Sequence, residues 1–315
     1  MRLVQFCQNG CTRIGAEVAQ NGDIVDLSAV DASIPSDTRS FLEAGESALL
    51  AASRAVASGK GVIKREEVKI KAPIQNPEKI ICLGMNYVDH CLEQNQPIPE
   101  APILFFKLPS AVIGQGEDIV CPDIVKELDY EVEMAIIIGK IGHKLKESEA
   151  MDHVFGYTVA HDVSARDWQL HKNNGQWGLG KSFDTFCPLG PSIVHKNSLS
   201  DPHKLGIRCR LNGETMQNSN TEKMVFKTAS AISYISQFMT LKPGDVILTG
   251  TPPGVGLFKK PPLFLKVHLV ITYTYYQWRS QPDILVPLCK FKIIIIIHFF
   301  RNLLFSQSMN TKIFA

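Results

Sequence analysis

The run Asp129-Tyr130-Glu131-Val132-Glu133-Met134-Ala135-Ile136-Ile137-Ile138-Gly139 constrains this chain more than any other segment. Its apolar part is short and ends at a glycine, so it reads as a strand covered on both faces. Strand side chains alternate, which points Glu131 and Glu133 the same way and sends Val132 into the opposite layer. Two carboxylates held like this repel each other, and burial adds to the penalty unless a divalent cation sits between them. Oxygen donors favour Mg²⁺, Mn²⁺ or Ca²⁺ over zinc. A half-exposed strand with a solvated acidic face would carry the same two glutamates, so the rest of the chain has to decide.

The 315 residues, 45% of them hydrophobic, can bury a large core and suit two domains or one large domain with an appendage. Thirty-three basic and 31 acidic side chains give a formal charge of +2 without a basic block, which argues against a nucleic-acid partner. The eight cysteines include no C-x2-C pair and read as reduced thiols in an intracellular compartment. Met1–Phe6 alternates like a first strand and has neither the apolar core of a signal peptide nor the character of a transit peptide.

Residues 1–72 read as a small N-terminal α/β domain with short strands, a helix over Thr38–Ala57 and a basic strand near Val68–Ile70. The turn-rich stretch Ala72–Glu78 precedes the strand Lys79–Gly84, where the main domain begins. Beyond it, short strands punctuated by Gly and Pro alternate with a few helices, near His90–Gln94, Ala165–His171 and Thr228–Met239. That pattern predicts an α+β, mainly β architecture.

Three further groups of residues belong with the carboxylate pair. In His161-Asp162-Val163-Ser164-Ala165-Arg166-Asp167-Trp168-Gln169, Ser164 and Asp167 resemble a capping box, which puts Asp162 at a strand-to-helix junction where it can be a third oxygen ligand. Arg166 and Gln169 share a helical face there and suit a substrate carboxylate. In Asn86-Tyr87-Val88-Asp89-His90-Cys91-Leu92-Glu93, the i, i+3 spacing lets Glu93 orient His90 as a base, and the Pro-rich Gln96–Pro102 reads as a lid. Lys181 stands between turn residues in Gly180-Lys181-Ser182. Thr249-Gly250-Thr251-Pro252-Pro253-Gly254 lacks P-loop spacing and reads as a tight turn presenting the Gly250 N–H and Thr251 Oγ to a ligand.

Together these segments resemble the fumarylacetoacetate hydrolase family. N-Y-x-D-H, D-Y-E-V-E, H-D-V-S-A-R-D-W-Q, G-K-S-F-D and L-T-G-T-P-P-G-V-G occur in the family's order between about Ile80 and Gly256. The resemblance implies a mixed β-roll catalytic domain over 79–266, a homodimer, and Mg²⁺, alternatively Mn²⁺ or Ca²⁺, at the mouth of the roll. It implies Glu131, Glu133 and Asp162 as metal ligands, His90 and Glu93 as a lid dyad, Lys181 as the catalytic lysine, and Arg166, Gln169 and Thr251 as substrate contacts beside Gly250. A mitochondrial location is implied too, although no transit peptide is legible; the alternative is cytoplasmic. Such a site would act on a small 2-oxo acid through an enolate, which a metal stabilises. Keto–enol tautomerisation of oxaloacetate comes first, with acylpyruvate or fumarylacetoacetate-type C–C hydrolysis and oxaloacetate decarboxylation as alternatives.

After Lys266 the chain departs from the family pattern. The closing strands are expected to be missing, and residues 267–315 to form an aberrant tail outside the compact domain or weakly paired along its edge. The tail's isoleucine run at 293–297 is well short of the ~20 residues a membrane helix needs, and no membrane partner is expected. An unclosed roll also raises a reading of another class, a catalytically silent subunit that only pairs with an intact one.

Overall fold

Val132–Ile138 forms a strand whose seven residues are all buried, in a computed structural model that describes residues 1–19, 22–266, 270–277 and 289–295. Val132, Met134, Ile136 and Ile138 enter one hydrophobic core, while Ala135 and Ile137 enter a second one on the other face. Two covered faces explain the continuous apolar run. The strand pairs antiparallel with Val154–His161 on one side and Val246–Leu248 on the other. Beyond Val246–Leu248 the sheet continues through Ile80–Gly84, which is parallel to it, to Ile103–Lys107. The fold is α+β and mainly β.

Residues 1–72 feed this same sheet. Arg2–Gln8 lies antiparallel to Cys187–His195, with Leu3 opposite Ile193, and the core below it joins Leu3, Ile14 and Phe41 to Ile80, Ala135 and Val246. Ala72–Glu78 is thus a turn in the path of the chain, across which the core is continuous. The helix Thr38–Ala57 buries Phe41, Leu42, Ala48, Ala51, Ala52 and Ala55 along one side. Its N-terminal cap is Asp37, whose carboxylate accepts from the Ser40 N–H at 2.9 Å.

A second sheet takes in two segments of the chain beyond Lys266. It runs Glu214–Asn220, Leu205–Leu211, Val270–Gln277, Cys289–Ile295, Asp118–Cys121. Val270–Gln277 pairs along the whole of Leu205–Leu211, and Ile271 is fully buried. The reason lies in two compatible sequences: Leu205–Leu211 needs a partner on its free side, and Val270–Gln277 is rich in β-branched and aromatic residues that suit a half-buried pleated surface. The remaining tail, 267–269, 278–288 and 296–315, lies outside the described residues. No described helix is long and apolar enough to cross a membrane.

Candidate active site

Strand register brings the third carboxylate to the first two. Val132 pairs with His161, so Asp162 stands beside Glu131 and donates its N–H to the Glu131 carbonyl at 2.9 Å. Oxygens of Glu131, Glu133 and Asp162 lie within 4.8 Å of one another, and all three residues are buried.

Three cations surround this group. Lys181 Nζ donates to Glu131 Oε2 at 2.9 Å, Asp162 Oδ2 at 2.7 Å and Ser164 Oγ at 2.7 Å. Arg166 pairs through Nη2 with Glu131 at 2.7 Å and through Nε with Asp129 at 2.8 Å, and its Nη1 donates to Gln169 Oε1 at 2.8 Å. Lys107 Nζ donates to Asp162 Oδ1 at 2.6 Å, to the Val163 carbonyl at 3.2 Å and to the Lys181 carbonyl.

The charges are unevenly matched. Burial alone would raise the Glu131 carboxyl, but Lys181 and Arg166 outweigh it and hold it well below the usual carboxylate range. Glu133 shifts the opposite way: burial, then Asp162 and Glu131, push it well above that range. Ion pairs here go to Asp129, Glu131 and Asp162, whereas Glu133 receives the Gly250 N–H at 2.7 Å. Burial opposes the charge on Lys181, yet Asp162 and Glu131 raise its pKa and keep it an ammonium. A buried set of oxygen donors, with one carboxylate outside the ion-pair network, fits a hard divalent cation.

Local structure differs from expectation at two places. Ser164 is no helix cap: Ser164–Ala165 pairs as a short strand with Leu128–Asp129, and the Ser164 hydroxyl donates to the Asp162 carbonyl at 2.8 Å while accepting from Lys181. A buried ammonium requires a third acceptor, and that demand overrides capping. The helical turn begins later, as a π-turn at Asp167–His171. Gly250 and Thr251 are likewise engaged within the protein. Thr251 Oγ1 donates to the Val132 carbonyl at 3.0 Å and accepts from Gln217 Nε2 at 2.7 Å. Gly250 has φ +88°, and a Cβ there would stand 2.8 Å from the Asn86 Cβ, so only glycine aims this N–H at Glu133.

Opposite the carboxylates lies the helix Val88–Glu93. His90 Nδ1 meets Glu93 Oε2 at 2.9 Å, and Glu93 Oε1 accepts from the Gly254 N–H at 2.9 Å. A cavity of about 100 Å³ opens between the two groups; Glu131, Glu133, Arg166, Gln169, Lys181, Thr251 and His90 line it together with Gln94, Phe105, Trp177 and Phe258. Every residue picked from the sequence except Glu93, Asp162 and Gly250 therefore borders one space, and these three bond to residues that do.

Sequence reading missed Lys107, Asp129 and Gln94. Asp129 continues the period-two series of Glu131 and Glu133, and accepts from the Gly256 and Leu257 N–H groups as well as from Arg166. Lys107 follows an apolar run in which Phe105 is buried and Phe106 exposed, so alternation alone would have turned Lys107 inward. For Gln94 the sequence holds no signal beyond its place one residue after Glu93.

A family model described as Fumarylacetoacetate (FAA) hydrolase C-terminal matches residues 79–275. The chain is 58% identical over 273 residues to the oxaloacetate tautomerase fahd2, mitochondrial, of Xenopus laevis, spanning 86% of each chain. It is 53% identical over 268 residues to the oxaloacetate tautomerase FAHD2A, mitochondrial, of Homo sapiens, spanning 84% of this chain and 85% of that one. Among solved structures it superposes on fumarylacetoacetate hydrolase from Exiguobacterium antarcticum with a TM-score of 0.75 and 33% identity, covering 94% of this chain and 100% of the other. Maleylpyruvate hydrolase from Sphingobium sp. SYK-6, in complex with manganese(II) ion and pyruvate, gives a TM-score of 0.75 at 27% identity, covering 94% and 99%. The chain belongs to the fumarylacetoacetate hydrolase family.

Proposed function

We propose that this enzyme interconverts the keto and enol forms of a small 2-oxo acid, oxaloacetate first, with a divalent cation held by Glu131, Glu133 and Asp162. The observation that carries the reading is the buried carboxylate triad, with the Lys181 ammonium bonded to two of its members and facing a cavity sized for a small acid. The tautomerase names of the frog and human relatives support the reaction, and the manganese and pyruvate in the Sphingobium neighbour support the class of metal and ligand. Mg²⁺ is the first choice of ion, with Mn²⁺ or Ca²⁺ as alternatives. When bound, the cation supplies Lewis-acid polarisation of the 2-oxo group.

The chain's own residues do the rest. Gln169 gives its carbonyl oxygen to Arg166, which leaves its NH₂ group to hold the substrate carboxylate. Lys181 places a positive charge beside the oxygen on which charge develops; as an ammonium it first gives a proton to that oxygen and then, as the amine, takes one from C3, the two steps reversing for ketonisation, so the proton count on Nζ is restored. Atoms are conserved: one proton leaves carbon and one arrives on oxygen, or the reverse, and no water is consumed. Phe105, Trp177 and Phe258 give the cavity an apolar wall. A mitochondrial location belongs to this reading, supported by the designation of the two relatives; a homodimer belongs to it on family resemblance.

The test follows the ultraviolet absorbance of enol-oxaloacetate as purified protein is added with Mg²⁺, Mn²⁺ or chelator. Acceleration that needs the metal and falls on the order of 10²–10³-fold in Lys181→Ala is expected. Equal rates with and without protein would refute the reading.

A further inference from the structure

The lid histidine has both ring nitrogens occupied. Nδ1 faces the Glu93 carboxylate, which can only accept, so in the neutral imidazole Nδ1 carries the proton and Nε2 the lone pair. That lone pair receives the Gln94 carboxamide at 2.8 Å from Nε2 of the glutamine to Nε2 of the imidazole. The same NH₂ group reaches Met85 Sδ at 3.2 Å. Two acceptors, a thioether and an imidazole nitrogen, thus share its two hydrogens, and the reverse orientation would set the Gln94 carbonyl oxygen against both. Gln94 is also fixed from below: it caps the Val88–Glu93 helix, its N–H donating to the carbonyls of His90 and Cys91. Its side chain borders the cavity beside His90.

The two reactions open to an enolate differ in their need for that lone pair. In hydrolytic cleavage of an acylpyruvate, water gives a proton to His90 Nε2 and its hydroxyl adds to the acyl carbon. The C–C bond electrons then leave on C3, which takes up a proton, so one water is consumed. Tautomerisation moves a proton between C3 and oxygen through Lys181 and needs no water. We propose that Gln94 is a positioning residue that selects the reaction: by holding the Nε2 lone pair of His90 in a hydrogen bond, it withholds the base from water and biases a bound 2-oxo acid toward proton exchange. This rests on the functional reading above and names what narrows it.

The experiment uses full-length ¹⁵N-labelled protein with Mg²⁺, and compares wild type with Gln94→Met and Gln94→Leu, whose folding is checked by circular dichroism. Acetylpyruvate cleavage and oxaloacetate enolisation are measured on the same samples, and the imidazole nitrogens of His90 are observed by NMR. In wild type, Nδ1 should be protonated and Nε2 a hydrogen-bonded acceptor. In both variants the Nε2 resonance should move toward that of a free lone pair, and the ratio of cleavage to enolisation should rise about tenfold, part of the on the order of 10²–10⁴ that a general base supplies. Wild-type protein that enolises no oxaloacetate would overturn the functional reading and this selection together. With an active wild type, a ratio within twofold in both variants, or a wild-type His90 protonated at Nε2, overturns the role of Gln94 alone; the wild-type spectrum decides even if neither variant folds.

Discussion

Glu133 is the carboxylate whose charge the protein supports least, and that makes its isosteric amide informative. In Glu133→Gln the Gly250 N–H keeps an oxygen acceptor, while the repulsion from Asp162 and Glu131 disappears. The metal-free variant should melt no lower than metal-free wild type, and Mn²⁺ should no longer raise its melting temperature. A variant that Mn²⁺ still stabilises as strongly would remove Glu133 from the ligand set. Lys107 behaves in the opposite sense. Its ammonium satisfies a buried carboxylate oxygen and two carbonyls, so Lys107→Met should cost about 3–5 kcal/mol in denaturant unfolding, as expected when one partner of a buried ion pair is removed. A loss under about 1 kcal/mol would mean that water replaces it.

Among the elements, the lid helix and the turn around Gly254 act as one unit, because Glu93 bonds His90 with one oxygen and the Gly254 N–H with the other. In Glu93→Gln the amide NH₂ would face the Nδ1–H of His90, forcing the imidazole into its other tautomer. Acylpyruvate cleavage should fall on the order of 10²-fold while proton exchange on oxaloacetate through Lys181 persists; equal losses in the two assays would unite the steps that we separate. At the strand Lys69–Lys71, burial would raise the Glu117 carboxyl, but the Gly114 N–H and the ammonium groups of Lys69 and Lys71 bring it down to about 2. Its contribution to stability is therefore present above the ordinary carboxylate range and is lost as pH falls toward about 2. Glu117→Gln should melt lower than wild type at pH 7, with the gap narrowing below the ordinary carboxylate range and nearly closed at about pH 2, where the wild-type carboxylate is itself being protonated. These elements also mark what the sequence made legible. Period-two alternation gave the same-face glutamates, and i, i+3 spacing gave the His90–Glu93 pair, because both are local geometry. Alternation points Lys107 inward, but its partner Asp162 and the true partner of Ser164 were hidden, since those contacts lie 55 and 17 positions away and no local period encodes them.

For the molecule as a whole, the second sheet draws on strands far apart in the chain, and Cys289–Ile295 lies beyond the segment 79–275 that the family model matches. Ile271 is buried beside Leu211 in the ladder between Val270–Gln277 and Leu205–Leu211. Ile271→Asp should destabilise the protein by at least about 3 kcal/mol, and the freed edge of Leu205–Leu211 should promote self-association on size-exclusion chromatography. A monodisperse variant with unchanged melting temperature would show that this pairing contributes nothing. The same sheet sets the timing of folding during synthesis. Asp118 pairs with Lys292, so the strand Asp118–Cys121 emerges long before its neighbour exists. Over the 174 positions between them, synthesis at about 5–20 residues per second imposes a wait of roughly 10–35 s. Through that interval the nascent chain carries an unfinished apolar edge in a crowded cell, and its yield of active enzyme becomes a matter of chaperone supply as much as of final stability.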